Sequence, residues 1–201
     1  MKQRLISLAV YKAYRMKIMS HEDLRKMKYG MEVVSNEIIK TILLLVLFAA
    51  MNKLNYFLFS LIILVSIRCS SGGLHFQSNL SCLMFSCIFF LASTYEAAHV
   101  VIAFRQLTHS MMLFSIAAIG LLSPLPSINR PIKDKRKQRL LKINAVFITA
   151  LWSYILLYEF EATGLAACGI ITIALQALQL IAGYVIKRWS SIIYNRGSEV
   201  V

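Results

Sequence analysis

The sequence predicts an all-α, polytopic membrane protein with about six transmembrane helices and an amphipathic N-terminal region. Three observations predict it. Of the 201 residues 58% are hydrophobic and the mean hydropathy is +0.66, far more apolar than one soluble core of this length requires. The apolar residues fall in runs that recur along the chain, separated by short polar or proline-containing breaks. The 22 Lys and Arg residues outnumber the 9 Asp and Glu, yet they sit in blocks between the apolar runs. That is the positive-inside pattern of a membrane protein, and it argues against nucleic acid as a partner.

Residues 1–36 are amphipathic and basic, with Leu5, Leu8, Tyr11 and Arg15 at helical spacing. Charges interleave with apolar residues throughout Met1–Met19, unlike a cleavable signal, so a retained N-terminus is expected. Ser20 followed by Glu22 and Asp23 predicts a helix N-cap with acids in the first turn. Both helical pieces are expected at the membrane surface, or alternatively as solvated helices packed on the membrane domain.

From Ile38 to Ile67 the chain is apolar apart from Lys40, Lys53 and a polar kink at Asn52–Asn55. This predicts a hairpin of two short spans, the first extended back towards Val33 with Glu37 and Lys40 paired; one long re-entrant element is the alternative. Leu80–Phe104 and Leu107–Leu122 are the next two spans. Pro124, Pro126 and Pro131 then confine a loop ahead of a basic helix start that holds seven basic residues from Arg130 to Lys142 against the single Asp134. Ile143–Tyr158 and Leu165–Ile186 are the last spans. Six spans put both termini, the loop at residues 68–79 and the basic loop on one side, with 20 of the 22 basic residues, all but Lys53 and Arg105. That side is expected to be cytoplasmic. With no internal repeat, the chain reads as one membrane-embedded domain: residues 1–36 amphipathic, 37–188 the six spans, 189–201 a cytoplasmic tail. Gly164 and Cys168, small residues in the last span, point to a helix contact, and a homodimer is one option for it.

Chemistry concentrates between Arg68 and Cys82, where Arg68, Gly72, Gly73, His75 and Cys82 interrupt an otherwise apolar protein. A cysteine is a nucleophile as its thiolate, which a base or a helix N-terminus stabilises. If Ser78 or Asn79 caps the third span, Cys82 falls in its first turn. His75 and Cys82 on one continuous helix would stand about 10.5 Å apart along the axis, so the chain must bend between them, and Gly72–Gly73 offers the permissive backbone. Cys87 and Cys168, inside apolar spans, read as packing thiols. Four cysteines in apolar context make no extracellular disulfide framework. The spacing of His75, Cys82, Cys69 and His99 matches no zinc pattern, so neither a metal nor another cofactor is expected.

Arg68, Gly72–Gly73, His75 and Cys82 resemble the Arg-x(3)-Gly-[Gly/x]-x-His-x(6)-Cys signature of the accessory gene regulator B family, membrane cysteine proteases that mature quorum-sensing peptides in Gram-positive bacteria. Tyr29-Gly30-Met31-Glu32 resembles the family's turn before the first span. Ser123-Pro124 with Arg130-Pro131 resembles its Ala-Pro…Lys-Pro loop, with Ser for Ala and Arg for Lys. The resemblance implies a multi-pass protein of the cell membrane in which Cys82 is the nucleophile and His75 its base. It implies cleavage of a small precursor peptide with an acidic C-terminal tail, the N-terminal part being held as a Cys82 thioester until an internal Cys or Ser closes a thiolactone or lactone.

Glu32, Glu96 and Asp134 are open as orienters of His75. Backbone N–H groups around Ser81 and Cys82, or the Gln77 or Asn79 side chains, are open as oxyanion donors. Gly72, Gly73 and Arg68 are candidates for substrate contact, Arg68 alternatively as an interfacial anchor. Arg130, Lys133 and Arg136 either grip the acidic tail or serve topology and anionic lipid alone. A non-enzymatic protein that binds or exports a peptide is the competing function, and it predicts polar groups lining a path through the spans.

Overall fold

A computed structural model of the chain describes residues 2–16, 20–74, 78–95, 105–125, 134–160 and 164–198. It forms two compact units, residues 1–52 and 53–201. All regular elements among the described residues are helices, and the protein is an all-α polytopic membrane protein.

The first unit holds α1 (Lys2–Arg15) and α2 (His21–Ala50), packed on each other through the buried Ile6 and Leu24 and the Tyr14–His21 ring contact. Ser20 caps α2 as expected, its hydroxyl accepting from the Asp23 N–H at 3.2 Å. Lys26 pairs with Glu22 and Asp23 on the first turns, and Glu37 pairs with Lys40. One expectation is corrected here: the amphipathic piece after Ser20 and the first span are a single 30-residue helix, about 45 Å long. Nothing between Glu22 and Ala50 stops it, since the stretch lacks proline and its one glycine, Gly30, costs a helix only about 1 kcal/mol. The helix ends at a turn in which Asn52 takes a left-handed φ of 55°, a conformation asparagine tolerates.

The second unit begins with α3 (Leu54–Ser71), whose start carries Lys53 over the Tyr56 ring. It continues with α4 (Asn79–Tyr95), α5 (Arg105–Leu122), α6 (Lys135–Tyr154) running into a π-helical turn at Ile155–Glu159, and α7 (Gly164–Ser198). Among the described residues, four helices are long and apolar enough to cross a membrane: α2, α3, α6 with its π turn, and Gly164–Trp189 of α7. Leu80–Thr94 and Leu107–Leu122 are shorter apolar helices, so apolar helices stand at all six expected spans. The second half of the expected Leu80–Phe104 span lies outside the described residues.

α7 packs against α3, α4 and α5. Its buried face, Ala166, Ala167, Cys168, Ile170, Ile173, Ala177 and Leu180, is rich in small residues that let helix backbones approach, the usual device where lipid gives no hydrophobic drive to association. Hydroxyls add ties: the Thr172 hydroxyl donates to Ser60 Oγ at 2.9 Å, and Ser60 also meets Cys168 Sγ and Ser93 Oγ, joining α3, α4 and α7. Gly164 lies against the Tyr56 ring, so the helix contact expected of Gly164 and Cys168 is made to α3 of the same chain. On the other flank of α3, Trp152 of α6 donates to Ser66 Oγ at 2.9 Å and stacks edge-on against Phe59. α3 leads from the Tyr56–Gly164 end of the bundle to the end where the functional residues gather.

Candidate active site

α3 stops at Ser71 because Gly72 turns left-handed, with φ 75° and ψ −160°. Only glycine takes that conformation without strain, and the space is closed as well: a Cβ at Gly72 would stand 2.5 Å from the Leu125 carbonyl oxygen. Leu125, just after the cis Ser123–Pro124 peptide, forms a parallel bridge with Gly72, and its N–H donates to the Ser71 carbonyl at 2.9 Å. The two stretches singled out in the sequence, Arg68–Cys82 and Ser123–Pro124, are therefore in backbone contact at one end of the bundle.

Two more side chains close this junction. The Arg68 guanidinium reaches forward along the chain and donates from Nη2 to the Leu74 carbonyl at 2.8 Å. Gly73 leaves room for it, since a Cβ there would be 3.0 Å from Arg68 Nε. From α7, Gln176 donates through Nε2 to Ser71 Oγ at 3.1 Å and to the Gly72 carbonyl at 3.0 Å. About two turns further along α7, Gly183 admits Leu125 and Leu74, whose methyl groups would stand 2.5 and 3.3 Å from a Cβ. The main chain of Gly72–Leu74 is thus held by α3, α7 and the segment after α5 together.

Chain continuity carries this segment to His75, which with Phe76 and Gln77 lies outside the described residues. The chain is described again at Ser78, a bend, and α4 starts at Asn79. The Ser78 carbonyl accepts the Cys82 N–H at 3.1 Å, so Cys82 sits at the end of the first turn of α4, half-buried. Because Ser78 is a bend and α4 starts at Asn79, the helix that holds Cys82 does not extend back past Asn79. The Cys82 N–H is committed to Ser78, which removes it as an oxyanion donor. The N–H of Ser81, like those of Asn79 and Leu80, has no acceptor within the helix.

Among the remaining candidates, Asp134 caps α6, its Oδ1 accepting from the Arg136 N–H at 2.8 Å. This occupies one carboxylate oxygen of a proposed His75 orienter and confirms the expected basic helix start. Arg136 is exposed. Arg130, Lys133 and Glu96 lie outside the described residues, and Glu32 belongs to α2. Cys69 is exposed, Cys87 half-buried and Cys168 buried against α3. Gln176 and Leu125 were not singled out by the sequence. Neither carries a local signal, although Gln176 shares a helical face with Thr172, Ile173, Ala177, Gln179 and Leu180, where amides are unusual.

The family model for accessory gene regulator B matches residues 6–180, a stretch that contains Arg68–Cys82, Ser123–Leu125 and Gln176. The chain belongs to the accessory gene regulator B family. An AgrB-like protein of Clostridium beijerinckii is 29% identical over 171 residues, covering 81% of this chain and 79% of that protein. Accessory gene regulator protein B of Staphylococcus saprophyticus is 28% identical over 144 residues, covering 68% of this chain and 71% of its own. No solved structure matches the chain.

The junction geometry sets an order on two glycine substitutions. Gly72→Ala must strain a left-handed residue and push the Leu125 backbone away, so it should destabilise the protein by about 2 kcal/mol or more. Gly73→Ala meets only a guanidinium that can shift and should cost less than half as much. Thermal unfolding of both purified variants in detergent checks this, and equal midpoints would contradict it.

Proposed function

We propose that this accessory gene regulator B protein is a membrane-embedded cysteine endopeptidase and peptide cyclase acting on a small precursor peptide. The observation that carries the reading is the place of Cys82: the first turn of α4, directly after the segment that leads through His75 from a backbone junction fixed on three sides.

In this mechanism His75 takes the Cys82 proton, and the thiolate Sγ attacks the scissile carbonyl carbon of the precursor. The C–N bond of the tetrahedral intermediate breaks, the imidazolium gives its proton to the departing amine of the C-terminal part, and the N-terminal part remains as a thioester on Cys82. An internal Cys or Ser of the precursor then attacks the thioester, forms the thiolactone or lactone, and returns the thiol to Cys82. A thioester keeps much of the activation of the peptide bond, so ring closure competes with hydrolysis where water is scarce. The N–H groups at the start of α4, Ser81 included, are the nearest backbone donors to charge developing beside Cys82. By charge asymmetry the site faces the cytoplasm.

Arg130, Lys133 and Arg136 take the acidic tail of the precursor in this reading. Arg68 binds the Leu74 carbonyl, which makes it a support of the loop before it is a substrate contact, and Gly72 and Gly73 shape the same loop. The exporter reading would use polar side chains along a path. Of the buried polar groups, Ser60, Ser93, Cys168 and Thr172 satisfy one another between helices, while the Gln179 amide has no hydrogen-bond partner among the described residues.

Two experiments test the proposal. Cys82→Ala should lower cleavage of a co-expressed precursor by more than about a thousandfold while the protein stays in the membrane, whereas Cys87→Ala and Cys168→Ala, as packing changes, should stay within about threefold. Residual processing by Cys82→Ala at a rate near the parent's rules the mechanism out. For the basic loop, neutralising Arg130, Lys133 and Arg136 together in nanodisc-embedded protein should raise KM, and the parent's KM should rise with salt, as expected for exposed charge pairs. Removing acids from the precursor tail should then add little in the neutralised background. Strictly additive effects would leave the loop as an orientation signal alone.

A further inference from the structure

Gln176 is fully buried in α7, on a face it shares with Thr172, Ile173, Ala177, Leu180 and a second buried amide, Gln179, yet its own amide does not serve α7. Both of its hydrogen bonds run to the end of α3, to Ser71 Oγ and the Gly72 carbonyl. The orientation of the amide is fixed by its partners. The Gly72 carbonyl can only accept, so the NH₂ must face it, and the flipped amide would set two acceptor oxygens 3.0 Å apart. In that orientation Gln176 Oε1 is buried with no hydrogen-bond partner among the described residues. A position selected for packing or helix adhesion would favour an apolar side chain of this length, because a buried amide satisfied on one side only is a net burden. What the amide supplies and no apolar residue can is a pair of donors at a backbone turn inside the bundle.

We infer that Gln176 is a positioning residue for the Cys82 reaction: from α7 it fixes the backbone where α3 ends, and so sets the start of the segment that carries His75 and delivers Cys82. The inference rests on the reading of Cys82 as nucleophile. The turn at Gly72 is pinned from two directions, by the Leu125 N–H on the Ser71 carbonyl and by the Gln176 amide on the Gly72 carbonyl. His75 follows Gly72 by three residues and Cys82 follows it by ten. Without the Gln176 donors the Gly72 carbonyl keeps only the Ser71 hydroxyl of its own turn, at 3.2 Å, and the turn loses its tie to α7. A displacement of about 1 Å between a base and a nucleophile is enough to cost about 100-fold in rate.

The test uses the full-length protein in nanodiscs with the precursor peptide, in a parent whose Cys69, Cys87 and Cys168 are replaced by Ala. Gln176→Met keeps length and removes both donors. It should lower kcat by about 100-fold with KM within about twofold, and it should shift the pH profile of Cys82 alkylation by iodoacetamide upwards, to match that of His75→Ala. Ser71→Ala removes one acceptor of the Gln176 amide and the local hydroxyl donor to the Gly72 carbonyl, leaves the Gln176 tie to that carbonyl in place, and should lower kcat less than Gln176→Met does. A purely structural tie would reduce the amount of folded protein and leave kcat per folded molecule and the alkylation profile as in the parent; that result overturns the inference. If Gln176→Met fails to accumulate, Ser71→Ala alone decides, a kcat equal to the parent's counting against the proposal. Cys82→Ala in the same preparation separates the two claims. If it still cleaves, the nucleophile assignment fails; if it is inactive while Gln176→Met keeps the parent's kcat and alkylation profile, only the role of Gln176 fails.

Discussion

The hydrogen bonds that close the backbone around Gly72 are the constraint on which the rest of the site depends. A helix that runs on from α3 would place His75 and Cys82 on one rigid rod, out of reach of each other. Breaking it inside an apolar bundle exposes main-chain N–H and C=O groups where no water is available to pair with them, at a cost of several kcal/mol each. Here three carbonyls at the break have donors brought from other parts of the fold: the Leu125 N–H for Ser71, the Gln176 amide for Gly72, and the Arg68 guanidinium for Leu74. Ser71 and Gly73 are buried and Gly72 and Leu74 half-buried, the cover that non-helical backbone needs where water is scarce.

The same arrangement explains why α7 is the most deeply packed helix of its unit. It meets α3 at both ends by different means. Near Gly164 and Cys168 the contact is close backbone approach with hydroxyl and thiol ties to Tyr56 and Ser60. Near Gln176 and Gly183 it is an amide and a gap that takes Leu74 and Leu125. The first end holds two helices together; the second holds a loop in place. Ser60, Ser93, Cys168, Thr172 and the Gln176 NH₂ are spent on such ties, whereas the Gln179 amide has no hydrogen-bond partner among the described residues; a loop held in this way suits the proposed thioester, which must be protected from water.

Much of this was legible in the sequence because the signals are local. The Ser20 cap, the Glu37–Lys40 pair, the end of α3 at Gly72, Cys82 in the first turn of α4, and the basic helix that begins after Asp134 each follow from residues within a few positions of one another. The continuity of α2 was missed because its composition changes from amphipathic to apolar without any residue that breaks a helix. The partners of the junction were missed for a different reason. Gln176 lies 104 residues from Gly72, and a glutamine in an apolar span, here one of two with Gln179, looks the same whether it faces lipid, a neighbour or a catalytic loop. Arg68 was legible as a residue of the site, but its use as a support of Leu74 is a matter of tertiary geometry.

The central claim is that Cys82 carries the N-terminal part of the precursor as a thioester. Acid quenching of purified protein within the first turnover, followed by mass spectrometry of its peptides, tests it most directly. The account predicts an adduct on the Cys82 peptide with the mass of the N-terminal fragment, released by neutral hydroxylamine and absent from Cys82→Ala. Cleavage that proceeds without any adduct on Cys82, or an adduct that persists on another residue in Cys82→Ala, would contradict it.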